Sequence, residues 1–270
     1  MVSAHATSGT RPPAVAGSFY PRSADELSRT VADLLSAARA EERASVCGII
    51  APHAGYVYSG SVAAEAFASA RSVEGRFRRA VIIGPSHFVL FHGVAAPSHR
   101  AFATPLGEVP IDTGAVRTLV EEGLVVIDDA PHAPDHALEV ELPFLQAIFG
   151  AMPIVPLLFG AVSASAVTAA IARLWTAETL LVVSSDLSHY ETYASARAHD
   201  ARTAAAIESR DEAAIGPDDA CGHLAIRGAL IEAARRGLAL ERLDLRNSGD
   251  AAGDRKSVVG YGAWAIVEAP

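Results

Sequence analysis

Short apolar runs alternate with amphipathic stretches along almost the whole chain, and this alternation restricts the fold more than any other feature. "SVCGII" (45–50), "RAVIIGP" (79–85), "PIVPLLFG" (153–160) and "LLVVSSD" (180–186) carry apolar residues consecutively rather than at every second position. A strand that is apolar on both faces must be covered on both faces, which is the condition of a parallel sheet between helical layers. The intervening stretches have the helical period. "SADELSRTVADLLSAARAEE" (23–42) puts Leu27, Val31, Leu34 and Leu35 on one helical face, with Ser23 and Glu26 in capping-box spacing. "SVAAEAFASA", "TGAVRTLVEEG", "SASAVTAAIARLW", "YASARAHDARTAAAIESR" and "HLAIRGALIEAARRG" read as further helices. In "HALEVELPFLQAIFG" (136–150) Pro143 should either kink a helix or lie within its first turn. "GVAAPSHRAFATPLGEVPID" (93–112) reads as strands around a turn at "PLGE", and "LVVID", "ERLDLRNS" and "SVVGYGAWAIV" as strands. The expected fold is α/β: a single domain over residues 11–270 with a central, mostly parallel or mixed sheet flanked by helices on both faces. Residues 1–10 read as a flexible N-terminal tail.

Composition narrows the class of function. A chain of 270 residues that is 50% hydrophobic buries a core large enough to need no disulfides. The two cysteines, Cys47 and Cys221, are far apart and neither has a C-x-x-C partner, so no zinc ribbon or dithiol pair is encoded. Cys47 reads as a core residue and Cys221, in "DDACGHLAI", as the start of a helix. A net charge of -9 argues against a nucleic-acid partner. The first residues hold no apolar segment of signal-peptide type, and no apolar run is long enough to span a bilayer. A cytoplasmic protein with no membrane association is expected.

Three of the apolar runs end in the same way. "IIAPH" delivers His53, "VIIGPSH" delivers His87, and "LVVSSDLSH" delivers Asp186 and His189. Ligands of open α/β sheets bind beyond the carboxyl ends of the strands, and parallel strands align those ends. The three histidines should therefore converge, and "ERLDLRNSGD" adds Asn247, Ser248 and Asp250 after a fourth strand. Two or three imidazoles with a carboxylate form a metal-ligand set: two histidines and one carboxylate suit non-haem Fe(II), and the same groups hold Zn²⁺. Asp186, or Glu139 and Glu141 after His136, would fix the imidazole tautomers from behind. "HAGYVYSG" sets Tyr56 and Tyr58 beside the expected ion, either as pocket walls or as packing for the following helix. Each residue also has a plainer role available: His53 as a solvated loop residue, Asp186 as a helix cap, Asp250 as a turn residue. No G-x-S-x-G elbow and no phosphate-binding glycine loop is present.

"PAVAGSFYP" (13–21), "APHAGYVYSG" (51–60), "GPSH" (84–87), "TPLGEVPID" (104–112), "HALEVELPFLQ" (136–146), "SSDLSHY" (184–190), "ACGHLAI" (220–226) and "NSGDAAGD" followed by "VVGYGA" occur in this order. The set resembles the Memo family, in particular the bacterial and archaeal branch called AmmeMemoRadiSam system protein B, from about residue 11 to the C-terminus. The resemblance implies a fold similar to the class III extradiol dioxygenases of the LigB-like group, which use Fe(II) held by two histidines and an acidic residue. It places His53 and His87 on the metal-binding histidines, and Asp186 and His189 in the pocket. In animal Memo proteins a cysteine near the final strand completes the site. The corresponding stretch here is "NSGDAAGD", which leaves Asp250, with His189 as its rival, for the third position. The resemblance thus implies an iron-dependent oxidoreductase in which His136, His189 and Asp186 serve catalysis, with Zn or Cu as the other metals the ligands accept and a small molecule as substrate. The alternative is a non-catalytic metal-binding or scaffold protein. Partnership with AMMECR1-like and radical SAM proteins is also implied.

Overall fold

The computed structural model describes residues 8–268 apart from 42, 44, 74 and 252. The elements in chain order are β1 (Ser8–Arg11), α1 (Ala24–Ala37), β2 (Val46–Ala51), α2 (Tyr56–Ser69), β3 (Arg79–Pro85), β4 (Val94–Ala96), β5 (His99–Thr104), β6 (Gly107–Pro110), α3 (Thr113–Glu121), β7 (Val126–Ile127), α4 (Leu142–Phe149), β8 (Ile154–Phe159), α5 (Ala164–Leu174), β9 (Thr179–Ser184), β10 (His189–Glu191), α6 (Tyr193–Ser209), α7 (His223–Arg236), β11 (Ala239–Asn247), α8 (Ser248–Ala251) and β12 (Val258–Val267). The four apolar runs are β2, β3, β8 and β9. They lie side by side in the order β2-β9-β3-β8, all parallel, and every residue of β2, β8 and β9 is buried.

The sheet as a whole is mixed. Its order is β10-β12-β2-β9-β3-β8-β4-β7, with β11 also paired to β12. β12 is antiparallel to β2, and β10 and β11 are antiparallel to β12. β10 and β11 therefore run in the direction of β2, and their carboxyl ends reach the same edge as those of the parallel strands. Helices cover both faces; α1, α2 and α4 pack together, and α5 packs on α7, which lies against β9 and β3. A second, three-stranded sheet has the order β1-β5-β6, and β5 and β6 form the hairpin expected at "PLGE".

Three local expectations are revised, and a fourth, for Pro143, is decided between its two alternatives. The tail expected over residues 1–10 falls outside the described residues up to position 7, but Ser8–Arg11 pairs with β5. Arg11 is the reason that this strand is held. Its guanidinium is 1% exposed and donates to Glu139 Oε2, to His132 O and to Asp135 O, each at 2.6 Å. Ser23 stands at the N-cap of α1 with extended dihedrals, yet its hydroxyl makes no capping bond. α2 begins at Tyr56, earlier than its small-residue run suggested. Pro143 sits in the first turn of α4, where its missing N–H costs nothing, after a 3₁₀ turn at Glu139–Glu141.

Candidate metal centre

β2 and β3 are separated by β9, so the ends of β2 and β3 stand about 10 Å apart at the ordinary strand spacing. Side chains that reach over the end of β9 from either side can meet. His53 follows β2 by two residues and His87 follows β3 by two; their ring centroids lie 5.1 Å apart. A third imidazole joins them from the segment before the 3₁₀ turn. His136 lies 4.5 Å from the His87 ring and 5.4 Å from the His53 ring. One ring nitrogen of each of His53, His87 and His136 falls within 4.8 Å of the other two.

The protonation of these rings follows from what surrounds them. His53 is 1% exposed, and burial, then the neighbouring His87, His136 and His189, pushes it well below the usual imidazole range. Burial and then His87 lower His136 to about 4. His189, at the start of β10, is also lowered, chiefly by burial. Rings that are neutral at pH 7 offer lone pairs, which is the state a metal requires. The Nδ1 of His87 faces Asp135 Oδ1 at 3.2 Å, and the backbone N–H of His87 donates to Asp135 Oδ2 at 2.6 Å. Burial raises the Asp135 carboxyl, but the bonds from His87 and from the Ala137 N–H outweigh it and leave the group below its ordinary value. An ionised Asp135 accepts the hydrogen bond of His87 Nδ1–H, so Nε2 is the nitrogen not engaged by it. The Nδ1 of His53 is likewise occupied, at 2.8 Å from Ser184 Oγ.

Among the described residues this group has few polar partners beyond those two Nδ1 contacts. His136 Nδ1 is buried without a hydrogen-bond partner, 4.0 Å from Asp135 Oδ1. Among the described residues the Nε2 of His53 meets the thiol of Cys221, at 3.3 Å. Burial, then Asp186, raises that thiol strongly, so it is present as S–H. Cys221 reaches this place because Gly222 packs on the end of β9. A Cβ on Gly222 would lie 2.5 Å from Ser185 Cβ, and the Gly222 N–H donates to Ser185 Oγ at 2.9 Å. Three converging imidazoles, of which burial pushes His53 and His136 toward the neutral form, with an orphaned nitrogen and a thiol at their border are a donor set that fits one divalent ion.

The histidines form the floor of a cavity of about 610 Å³ whose walls include Phe19, Tyr58, His189, Tyr190 and Tyr261. Tyr58 lines it, whereas Tyr56 is buried away from it and donates to Val140 O at 2.8 Å. Asp186 also lines the cavity. It accepts from the His53 N–H at 2.8 Å, and burial raises it to about 7.

His53, His87, His136, His189 and Asp186, all named from the sequence, are brought into one pocket. Asp250 is not among the clustered donors. It starts from the expected edge, but β12, β2 and β9 stand between β11 and β3, and both its oxygens are taken, by the Tyr193 hydroxyl at 2.6 Å and the Asn247 N–H at 3.0 Å. The third nitrogen near His53 and His87 belongs instead to His136. Glu139 serves Arg11 rather than an imidazole. Sequence reading passed over Asp135, Ser184 and Cys221. The adjacency of Asp135 to His136 in "PDHA" was the one available signal; the other two arrive from segments with no ligand-like spacing.

A family model described as Memo-like protein matches residues 11–265. Relatives named as MEMO1 family proteins include one from Nitrosopumilus maritimus, 33% identical over 94% of this chain and 98% of its own. Another, from Aeropyrum pernix, is 35% identical over the same shares, and one from Thermotoga maritima is 34% identical over 93% of this chain and 97% of its own.

Proposed function

The chain belongs to the Memo-like protein family, and from that premise we propose that it is a mononuclear metal protein, Fe(II) being the first choice, that acts as an oxidoreductase resembling the class III extradiol dioxygenases. One observation carries the reading: three imidazoles, one with a buried and unpartnered nitrogen, converge in the lining of an aromatic-walled cavity. His53, His87 and His136 would hold the ion, with Cys221 as the nearest sulfur. The ion would supply Lewis acidity and, if iron, a redox centre for an aromatic diol and O₂. The same donors accept Zn and Cu.

The remaining work falls to the protein's own groups. The planar walls of Phe19, Tyr58 and Tyr261 orient a flat ligand and keep water from one side of it. His189 has its base form available at pH 7 and stands in the same cavity, in position to take a hydroxyl proton. Asp186, raised to about 7 by burial, can hold or release a proton at the cavity wall. The test is metal analysis of protein purified without oxygen and without a histidine tag, followed by O₂ uptake on iron-loaded protein with a panel of catechols. Bound iron with catechol-dependent O₂ uptake supports the reading, and a metal-free protein after anaerobic purification ends it.

A second reading has its own observation. Val57 and Tyr190 are exposed in the cavity lining, Phe88 is exposed with its ring 6.0 Å from that of His136, and Leu90, two residues further on, is wholly exposed. Such a rim suits a metal-binding accessory protein that docks a partner, the AMMECR1-like and radical SAM proteins being the candidates, in the cytoplasm. Among the described residues no helix is long and apolar enough to cross a membrane. Metal retention with no O₂ uptake, and co-purification with either partner, would favour this second reading.

A further inference from the structure

We propose that Glu141 is a neutral carboxylic acid at physiological pH and that, acting through Ser184, it is a positioning residue that keeps the proton of His53 on Nδ1. Ser184 Oγ has three polar neighbours: Ala137 O at 2.6 Å, His53 Nδ1 at 2.8 Å and Glu141 Oε1 at 3.0 Å. A hydroxyl has one hydrogen and two lone pairs. A carbonyl cannot donate, so the hydrogen goes to the shortest contact, Ala137 O. Both other neighbours must then donate to Ser184 Oγ. His53 does so as Nδ1–H, and Glu141 does so as O–H.

The surroundings of Glu141 agree with this. The residue is 0% exposed, its Oε2 has no partner, and no cation pairs with it among the described residues. Glu139, two residues earlier and equally buried, has the opposite setting: its carboxylate receives Arg11 Nη1, the N–H groups of Ala14 and Val15, and the Tyr20 hydroxyl. A buried anion needs such donors, and Glu141 lacks them. Burial, with Asp186 adding to it, also holds the Glu141 carboxyl well above the ordinary range.

The consequence, which rests on the metal-centre reading, is an asymmetric site. Asp135 is ionised behind His87 and strengthens that ring as a donor. The acid behind His53 carries its own proton and cannot draw the one on Nδ1. His53 is thus the weaker donor of the pair, with its Nε2 kept free for the ion.

Two measurements on the metal-free protein decide the matter at pH 7. The infrared difference between wild type and Glu141→Gln should show a protonated-carboxyl C=O band that is lost in the variant. Labelling of glutamate carboxyls with ¹³C identifies the same band in wild type should the variant fold poorly. Nitrogen NMR should find His53 with its proton on Nδ1, and Ser184→Ala should release that preference. Absence of the acid band, or a His53 proton on Nε2 in wild type, overturns the proposal. In metal titrations Glu141→Gln, whose amide N–H can replace the acid O–H, should stay within about threefold of wild type, while Ser184→Ala weakens binding about tenfold. Equal tenfold losses in both variants would also overturn it. A wild-type protein that takes no metal at all would defeat the metal-centre reading alone, since the infrared and NMR results stand without an ion.

Discussion

His199 and the cluster of His53, His87 and His136 are built from the same side chain and are used in opposite ways. His199, on α6, has both ring nitrogens filled: Nδ1 meets Glu191 Oε1 at 2.6 Å and Nε2 meets Asp219 Oδ1 at 2.8 Å. It clasps the end of β10 and the segment before α7 to the helix. The bond to Glu191 raises its pKa above the usual value, and the bond to Asp219 and the charge of both carboxylates add to this against a partial burial. In the cluster no carboxylate takes the Nε2 of His53 or His87 among the described residues, the His53 Nε2 meeting the Cys221 thiol, and burial pushes the His53 and His136 rings toward the neutral form. The lesson is that an imidazole becomes a structural cation when carboxylates take both nitrogens, and a candidate ligand when one nitrogen is left facing a cavity.

The comparison would break most visibly at the ligands. His87→Ala should lower metal affinity by more than about 100-fold, because loss of a direct ligand exceeds the 10- to 100-fold typical of an outer partner; chelator competition measures it. Unchanged affinity would remove His87 from the centre. Next in size is Asp135→Asn. Loss of the carboxylate behind His87 should weaken metal binding about 10- to 100-fold without removing it. Asp250→Ala, by contrast, should leave metal occupancy within about twofold, since its oxygens are engaged by Tyr193 and Asn247; depletion of metal in that variant would restore Asp250 as a ligand. These two results bear directly on what could be seen in the sequence. His53 and His87 were legible because each follows an apolar strand that had to be buried, and parallel strands share an edge. The third donor was not, because which loop closes over that edge depends on how Arg11 and Glu139 dock the segment around His136, a contact between residues 128 positions apart in the chain.

The smallest effect sharpens the other side of the comparison. His199→Asn should leave metal affinity unchanged and cost about 1 kcal/mol of stability, the scale of a part-exposed ion pair. Its pH dependence has a definite sign. The folded value lies above the unfolded value of about 6.5, so the contribution is fully present below about pH 6.5 and is lost as pH rises through the folded value. Thermal melts should therefore separate wild type from variant at pH 6 and draw together at alkaline pH. A gap that widens with rising pH would show that His199 is not held as a cation.

The alternation of buried runs and helical periods determined the α/β class, the four parallel strands and the edge at which His53, His87, Asp186 and His189 emerge, because burial on two faces and the fixed polarity of a strand are local properties that short stretches of sequence carry. Tertiary structure alone decided that β12 turns antiparallel, that His136 rather than Asp250 approaches the two strand-end histidines, and that Asp135, Ser184, Glu141 and Cys221 stand around them. Those positions are set by packing between segments far apart in the chain, such as Gly222 against Ser185, and distances between such segments leave no periodic trace in the sequence.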